Sequence, residues 1–122
     1  MIQIKVRGAQ AILDKLNSGK KAAIQGVNVA LGEFGIVLKE DIVNSIDGQR
    51  AEPRSVDTGF FRSSINYDIG NLNLNVYSDA DYSRFLEFGT SHIHERRHFR
   101  NSMARTSPIL KEKIKDQFKK VL

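Results

Sequence analysis

An Asp-Thr-Gly tripeptide at residues 57–59 is the first segment whose residue types could do chemistry. Aspartic proteases bring two such aspartates together so that they share one proton. Here the bulky Phe60 and Phe61 follow the tripeptide directly and would crowd the catalytic water. We therefore predict a structural role: Asp57 caps the backbone of a turn, and Gly59 supplies the conformational freedom that the turn needs.

Three histidines close together in the chain are a second candidate site, because imidazole and carboxylate groups bind zinc or nickel. The possible ligands are His92, His94, His98, Glu87 and Glu95. Arg96 and Arg97 lie between the histidines, and their charges would repel a cation. The chain has no cysteine, which excludes thiolate ligands. We expect neither a metal nor another cofactor.

No other pattern of residues indicates catalysis. The glycines in residues 32–35 lack the spacing and the following lysine of a phosphate-binding loop. A Ser-His-Asp arrangement cannot be inferred from the sequence. We therefore expect a protein that is not an enzyme.

The charge of the chain is uneven: residues 1–95 carry a net charge of −2, whereas residues 96–122 carry +7. This asymmetry indicates an acidic partner for the C-terminal segment, either nucleic acid or an acidic face of another protein. A solvated, lysine-rich helix face explains the same charges without a partner. A small basic nucleic-acid-binding protein is therefore the alternative function, although no recognition motif is present and sequence-specific binding is not expected.

Length and composition fit a single domain over residues 1–122. The chain lies within the usual range of roughly 50–200 residues for one domain, and its 40% hydrophobic and 27% charged residues are ordinary for a globular protein. No uninterrupted apolar run reaches the roughly 18 residues of a membrane helix, and the first residues do not resemble a signal peptide. We expect a protein that stays in the cytoplasm where it is made and does not contact a membrane.

Strict alternation of apolar and polar residues predicts three strands. They cover residues 2–7, 65–69 and 72–77, and Gly70-Asn71 joins the last two as a β-hairpin. Residues 48–56 are polar and have no period, which predicts a mobile loop.

Apolar residues at steps of three and four predict helices. The segments are residues 9–17, residues 20–46, a short piece over 83–88, and a C-terminal helix after a loop over 90–98. Gly26, Gly32 and Gly35 each cost the long helix roughly 1 kcal/mol relative to Ala, so a neighbouring element or another subunit must approach closely there. Ser107-Pro108 predicts an N-cap and first helical residue; alternatively a piece over 101–105 begins the helix and Pro108 kinks it. The expected fold is α+β: a small antiparallel sheet, a long helix in the N-terminal half, and a C-terminal helix packed against it.

Three blocks of the sequence resemble, in order and spacing, those of one protein family. Residues 55–65 (SVDTGFFRSSI) resemble its block V-D-T-G-x-L-R-x-S-I, residues 80–90 (ADYSRFLEFGT) its block Y-A-x-x-x-E-x-G-T, and residues 97–103 (RHFRNSM) its block R-P-F-L-x-P-A. His98 stands where the family usually has Pro, and Ser83 where it usually has Ala. The family is the head–tail joining, or tail-completion, proteins of long-tailed bacteriophages and prophages, typified by the tenth gene product of a lambdoid coliphage.

The resemblance implies a non-enzymatic virion component that is assembled in the cytoplasm of the bacterial host. It implies a homo-oligomeric ring, commonly of six, in the neck at the head–tail junction, between the portal or connector and the tail-tube or tail-terminator proteins. DNA passes through such a ring, which implies non-specific proximity to phage DNA.

The motif residues carried over by the resemblance serve either the fold or an interface. They are Asp57, Thr58, Gly59, Arg62, Tyr82, Glu87, Gly89, Thr90, Arg97, Phe99 and Arg100. Residues 82–88 are expected to pack their apolar side chains under the hairpin, and Gly89-Thr90 to end that segment. Glu87 is expected to form an ion pair with an arginine such as Arg97 or Arg100.

In a ring, the basic segment would face either acidic residues of the next subunit or the passage for DNA. We expect the basic segment of one subunit to face acidic residues of the next, because dense positive charge along the passage would hold DNA by counterion release. The acidic residues considered are Glu33, Glu40, Asp41 and Asp47.

Overall fold

The computed structural model describes residues 2–6, 20–50, 52, 60–91 and 94–121. The predicted helix over 9–17, the Asp-Thr-Gly tripeptide and His92 lie outside these residues. The described elements, in chain order, are β1 (Ile2–Val6), α1 (Lys20–Ile46), α2 (Phe60–Ser63), β2 (Ile65–Gly70), β3 (Asn73–Ser78), α3 (Ser83–Phe88) and α4 (His98–Val121). They form the α+β arrangement that the sequence predicts.

The three strands form an antiparallel sheet in the order β1-β3-β2, so the hairpin strand β3 is central. Leu74 and Val76 of β3 are fully buried. The hairpin is confirmed, but its turn lies one residue later than predicted. Leu72 is not a strand residue: its φ is 58°, and its N–H donates to Asn28 Oδ1 of α1 at 2.8 Å. This contact with α1 holds the turn in place.

Helix α1 packs one face against the sheet and against α4. The buried residues of this face are Ala23, Val27, Ala30, Leu31, Phe34, Leu38, Ile42 and Ile46. Two of its glycines lie at close contacts within the chain. A Cβ on Gly35 would lie 2.9 Å from Tyr67 Cδ2, and a Cβ on Gly26 would lie 3.1 Å from Gln117 Cβ of α4. Packing within one chain therefore accounts for these glycines.

Helix α4 is continuous from His98 to Val121 and contains Pro108 in its interior. The predicted start at Ser107 is therefore wrong, and the alternative with an earlier helical piece is the better description. Proline cannot donate to the carbonyl four residues back, which belongs to Ala104. The Ser107 hydroxyl lies 3.4 Å from that carbonyl oxygen and partly replaces the lost donor.

By length and composition alone, α1 is apolar enough to cross a membrane, over the stretch Lys21–Ile46. In the fold it is instead the core helix, with one face buried as described above. Charged residues interrupt its apolar run, which is why the sequence did not predict a membrane helix. Apolar side chains also occupy its outer face, where Val29 and Ile36 are about half exposed.

The two glycines of α1 that face the sheet side give a matched pair of substitutions. Gly35→Ala should lower the free energy of unfolding by about 1–3 kcal/mol, because the new methyl group would overlap Tyr67 and Leu74. Gly32→Ala should leave it unchanged or raise it by up to about 1 kcal/mol, because its Cβ would meet only Ile69 Cδ1 at 3.4 Å. Urea denaturation measures both values. Equal effects of the two substitutions would contradict the packing described here.

Candidate functional site

The structure brings most of the carried-over motif residues to one place, the junction between α3 and α4. Glu87 lies in the last turn of α3, Gly89 and Thr90 follow that helix, and Phe99 and Arg100 lie in the first turn of α4. Arg62 lies apart from them on α2, where its Nε donates to Asp47 Oδ2 at 2.9 Å.

The Glu87 carboxylate caps the N-terminus of α4. It is 1% exposed. Its Oε1 accepts the N–H of Phe99 at 2.8 Å, and its Oε2 accepts the N–H of Arg100 at 3.0 Å. The first N–H groups of a helix have no partner within the helix and carry partial positive charge, so a buried carboxylate there is both hydrogen-bonded and electrostatically favourable. Glu87 therefore fastens the start of α4 to the end of α3.

Arg100 completes this junction. Its Nε donates to Glu87 Oε2 at 3.1 Å, and its Nη2 donates to the Glu87 carbonyl at 2.7 Å and to Glu95 Oε2 at 3.1 Å. The guanidinium also lies 4.9 Å from the centre of the Phe88 ring. Arg97 instead pairs with Glu95. Of the two arginines considered as partners of Glu87, the structure selects Arg100.

Hydrogen bonds from Arg97 and then from Arg100 hold the pKa of Glu95 below its ordinary value. Glu95 thus stays ionised and joins the two arginines. The Glu95 carboxylate is more exposed than the Glu87 carboxylate. The ion pairs of Glu95 with Arg97 and Arg100 therefore stabilise the junction less than the buried contacts of Glu87 do.

Backbone geometry shapes the same junction. Gly89 follows α3 with φ of 77°, in the region that favours glycine, and its N–H donates to Phe85 O at 2.8 Å. The N–H of Arg96 then donates to Leu86 O at 2.7 Å, which turns the chain back towards α3. Phe99 is buried in the core, whereas Thr90 is exposed.

A second network, in which Arg105 binds two buried carboxylates, was not anticipated from the sequence. Its Nη2 donates to Asp41 Oδ2 at 2.8 Å and to Glu52 Oε1 at 2.9 Å. Arg50 Nε donates to the other Asp41 oxygen at 2.8 Å. These ion pairs connect α1, the segment after it and α4. No periodicity or motif relates residues 41, 52 and 105, so only the folded chain reveals the cluster.

The Glu52 side chain is buried, and its carboxylate is nevertheless ionised at neutral pH. Burial would raise its pKa, but hydrogen bonds from Arg105, Ser45 and Asn101 outweigh burial and hold the pKa at about 2. Glu52 and Arg50 lie within the segment 48–56 that the sequence predicts to be mobile, and both are bound to the body of the fold. The rest of that segment beyond Arg50 lies outside the described residues, and its mobility stays a prediction.

Ser45, His98 and Glu52 have the residue types of a hydrolytic triad but not its geometry. Ser45 Oγ donates to Glu52 Oε1 at 2.5 Å and lies 2.7 Å from His98 Nδ1. Because the hydroxyl proton points to the carboxylate, His98 Nδ1 must carry the proton that Ser45 accepts. In a triad the histidine lies between the other two and accepts the proton of the serine. Ser45 and His98 are also fully buried, so no substrate reaches them.

Burial lowers the pKa of His98 to about 4. Its ring is therefore neutral and bound to Ser45, and it packs 6.0 Å from the ring of Phe61. His94, by contrast, is exposed. Over residues 2–6, 20–50, 52, 60–91 and 94–121, no three His, Asp or Glu side chains come together in a way that could hold a metal ion.

The aromatic residues near α3 do not pack as predicted. Phe85 and Phe88 are about half exposed, and Tyr82 is exposed although its ring centre lies 5.9 Å from that of the buried Phe61. Leu86 is partly buried and packs against the core. The reason is that Glu87 occupies the buried face of this short helix, so its aromatic neighbours point outwards. Phe60 of α2 is also exposed, with its ring centre 6.4 Å from that of Tyr82.

The cap on α4 can be tested with an isosteric substitution. Glu87→Gln should lower the free energy of unfolding by about 3 kcal/mol, because it removes a buried charge that binds two helix N–H groups and Arg100. Glu95→Gln is the matched control and should cost less than about 1 kcal/mol, because this glutamate is more exposed. Urea denaturation of both variants compares them. A Glu87→Gln cost as small as that of the control would rule out the capping role.

The buried histidine makes stability depend on pH. The folded pKa of about 4 lies below the ordinary value of 6.5, so the unfolded chain binds more protons and stability falls as the pH drops from about 6.5 to 4. The loss attributable to His98 should be about 3 kcal/mol. Glu52, with its pKa held at about 2, adds a further loss below pH 4.5.

His98→Asn tests this assignment, because the asparagine amide can donate to Ser45 as Nδ1 does but does not titrate. Urea denaturation between pH 7.5 and 3 should show that the variant loses the dependence above pH 4.5 and keeps the loss below it. An unchanged profile would contradict the role given to His98.

A comparison with protein families matches residues 10–89 to the HK97-gp10-like family, described as "Bacteriophage HK97-gp10, putative tail-component". The match covers more than half of the 122 residues and includes the first block and nearly all of the second. The third block, at residues 97–103, lies beyond it. Comparisons with curated proteins and with solved structures give no match. The chain belongs to the HK97-gp10-like family of bacteriophage tail components.

Proposed function

We propose that this phage structural protein is a non-enzymatic head–tail joining, or tail-completion, protein that forms a ring at the neck of a tailed phage or prophage virion. The observation that carries the proposal is the family match over residues 10–89. The order of the three sequence blocks supports it. The ring is proposed to have six subunits, to contact the portal or connector and the tail-tube or tail-terminator proteins, and to be built in the host cytoplasm.

The polar clusters of the described chain support a structural role. Glu87 with Arg100, and Arg105 with Asp41 and Glu52, connect helices to each other. Ser45 and His98, whose types could do acid–base chemistry, are fully buried. These groups serve to hold one rigid shape, which is what a subunit between two fixed neighbours requires.

The expected pairing of basic and acidic residues between subunits needs revision. Arg100 and Arg105 are neutralised by carboxylates of their own chain, as are Asp41 and Asp47 by arginines. Reversing the charge of Arg100 would therefore damage the monomer. Glu40 remains exposed, and Glu33, which binds Lys113, is half exposed.

The internal neutralisation of Arg100 and Arg105 also narrows the DNA-contacting surface. The other exposed basic residues on α4 are Lys111, Lys119, Lys120 and Lys115, of which Lys115 lies 3.7 Å from Glu112. These lysines can approach phosphates without reading sequence. We therefore propose non-specific proximity to DNA as part of the neck role, in preference to a separate DNA-binding function.

Removal of the gene from a particle-producing phage or lysogen tests the neck role. We expect DNA-filled heads and tails that fail to join, visible by electron microscopy of the lysate. Complementation with the wild-type gene or with the mild variant Glu95→Gln should restore joined particles. Joined, infectious particles without the gene would contradict the proposal, and so would localisation of the protein to the distal tail.

A further inference from the structure

The Glu52 carboxylate occupies a set of hydrogen-bond donors that is complete for one carboxylate, and we call this set the carboxylate socket. The donors are Ser45, Asn101 and Arg105. Glu52 Oε1 accepts from Ser45 Oγ at 2.5 Å and from Arg105 Nη2 at 2.9 Å. Its Oε2 accepts from Asn101 Nδ2 and from Arg105 Nη1, each at 3.2 Å. A carboxylate has about two acceptor sites on each oxygen, so this set fills them all.

The socket belongs to the two long helices, whereas the group that fills it belongs to a separate segment. Ser45 lies in the last turn of α1, and Asn101 and Arg105 lie one turn apart on α4. Glu52 lies in the connection between α1 and α2, residues 47–59. This connection is unusually long, because most elements are joined through roughly 4–6 residues. None of the socket donors comes from it.

Other contacts hold the socket donors in position whether or not Glu52 is present. Arg105 Nε and Nη2 donate to Asp41 Oδ2 at 3.0 and 2.8 Å. Ser45 Oγ lies 2.7 Å from His98 Nδ1, which donates to it. Donors that are fixed before a ligand arrives bind it with a smaller loss of conformational freedom. The socket is therefore prepared for a carboxylate even when Glu52 is absent.

Departure of Glu52 from the socket would leave no buried charge without a partner. The Arg105 guanidinium keeps its ion pair with Asp41, and its side chain is 32% exposed. The freed carboxylate enters water. Removal of one member of a buried ion pair is costly chiefly because the other charge is left uncompensated, which does not happen here. Glu87 is the contrasting case, because its departure would leave two helix N–H groups without an acceptor.

Among the described residues of the connection, Glu52 makes the strongest contact with the helices. Arg50 also reaches α1, where its Nε donates to Asp41 Oδ1 at 2.8 Å, but the Arg50 side chain is 33% exposed. Ion pairs with an exposed member contribute little to stability. The Glu52 side chain is 2% exposed and both of its oxygens are bound. Loss of the Glu52 contact is therefore enough to release the connection at this point.

We propose that the carboxylate socket is a carboxylate-binding site and that Glu52 is its releasable occupant, a latch that holds the α1–α2 connection against the helices. When Glu52 leaves, the helices stay packed and the socket accepts another carboxylate in its place. The ligand class follows from the geometry of Arg105, because bidentate contact with a guanidinium selects a planar group with two oxygens. Chloride offers no such pair of acceptors. The inference is independent of the neck role.

Chemical rescue tests the socket. Glu52→Ala removes the carboxylate and leaves every donor in place, so the melting temperature should fall by about 5 °C. Sodium formate at pH 7 should recover at least half of that loss, relative to sodium chloride at the same ionic strength, because a ligand that binds the folded state stabilises it. Formate should give no such gain to the wild type, whose socket is filled, or to Glu52→Gln, whose amide fills the same space.

Two further variants are the controls for the rescue. Asn101→Leu, added to Glu52→Ala, removes one donor and keeps the contacts of Arg105 and Ser45 with their other partners. This double variant should bind formate about tenfold more weakly, as expected for the loss of a hydrogen bond to a charged group. Glu95→Ala removes a carboxylate that also binds two arginines but is more exposed, and formate should not stabilise it.

Limited trypsin digestion tests the latch. Cleavage after Arg50 requires this part of the connection to leave the helices, so it should be slow in the wild type and at least about tenfold faster in Glu52→Ala. Formate should leave the faster rate unchanged, because it fills the socket without tying the connection to it. Cleavage within the helices, after Lys39 or Lys113, should stay slow in both proteins. Mass spectrometry identifies the sites.

Three results would overturn the proposal: formate without effect on Glu52→Ala, an equal gain in the double variant with Asn101→Leu, or cleavage after Arg50 that is no faster in Glu52→Ala than in the wild type. If Glu52→Ala does not fold in chloride, circular dichroism in formate makes the same test, and a chain that stays unfolded there contradicts the socket. The gene deletion tests the neck role separately.

Discussion

The buried carboxylate of Glu87 at the N-terminus of α4 is the interaction on which the rest of the structure depends. A helix that begins at His98 exposes N–H groups that nothing within the helix can accept, and Glu87 accepts two of them. With α4 held there, Phe99 enters the core and Arg105 reaches the carboxylates of Asp41 and Glu52. The second network therefore depends on the first. The carboxylates of Glu87, Asp41 and Glu52 are buried, so each needs its hydrogen-bond partners to be stable in the fold.

This arrangement also determines which side chains remain on the surface. Glu87 and Ser83 take the buried positions of the six-residue helix α3, so its phenylalanines cannot be buried as well. In α1 the glycines that admit the sheet and α4 lie on the inner side, and Val29 and Ile36 lie on the outer side. The packing of the monomer thus leaves apolar side chains exposed on α3 and on the outer face of α1.

The sequence predicted the elements whose pattern is local and left out those that depend on distant residues. The long helix, the hairpin and the α+β arrangement follow from periodicity and are confirmed. The alternative that began α4 at Ser107 was wrong, because Ser-Pro is a typical start of a helix. The residue that caps α4, Glu87, belongs to another helix, and a local pattern around residue 98 does not reveal it. The sequence limited the ion-pair partner of Glu87 to Arg97 or Arg100, and the structure shows that it is Arg100. The Arg105 network could not be predicted, since its members are separated by 11 and 53 residues and share no motif.

Hydrogen exchange of individual amides measures the central interaction most directly. The N–H groups of Phe99 and Arg100 belong to the first turn of a helix, where exchange is ordinarily fast because no acceptor lies within the helix. If the buried Glu87 carboxylate holds them, they should exchange as slowly as the buried centre of α1, near Phe34 and Leu38. Exchange of these two amides at the rate of an open helix end, with α1 still protected, would contradict the account.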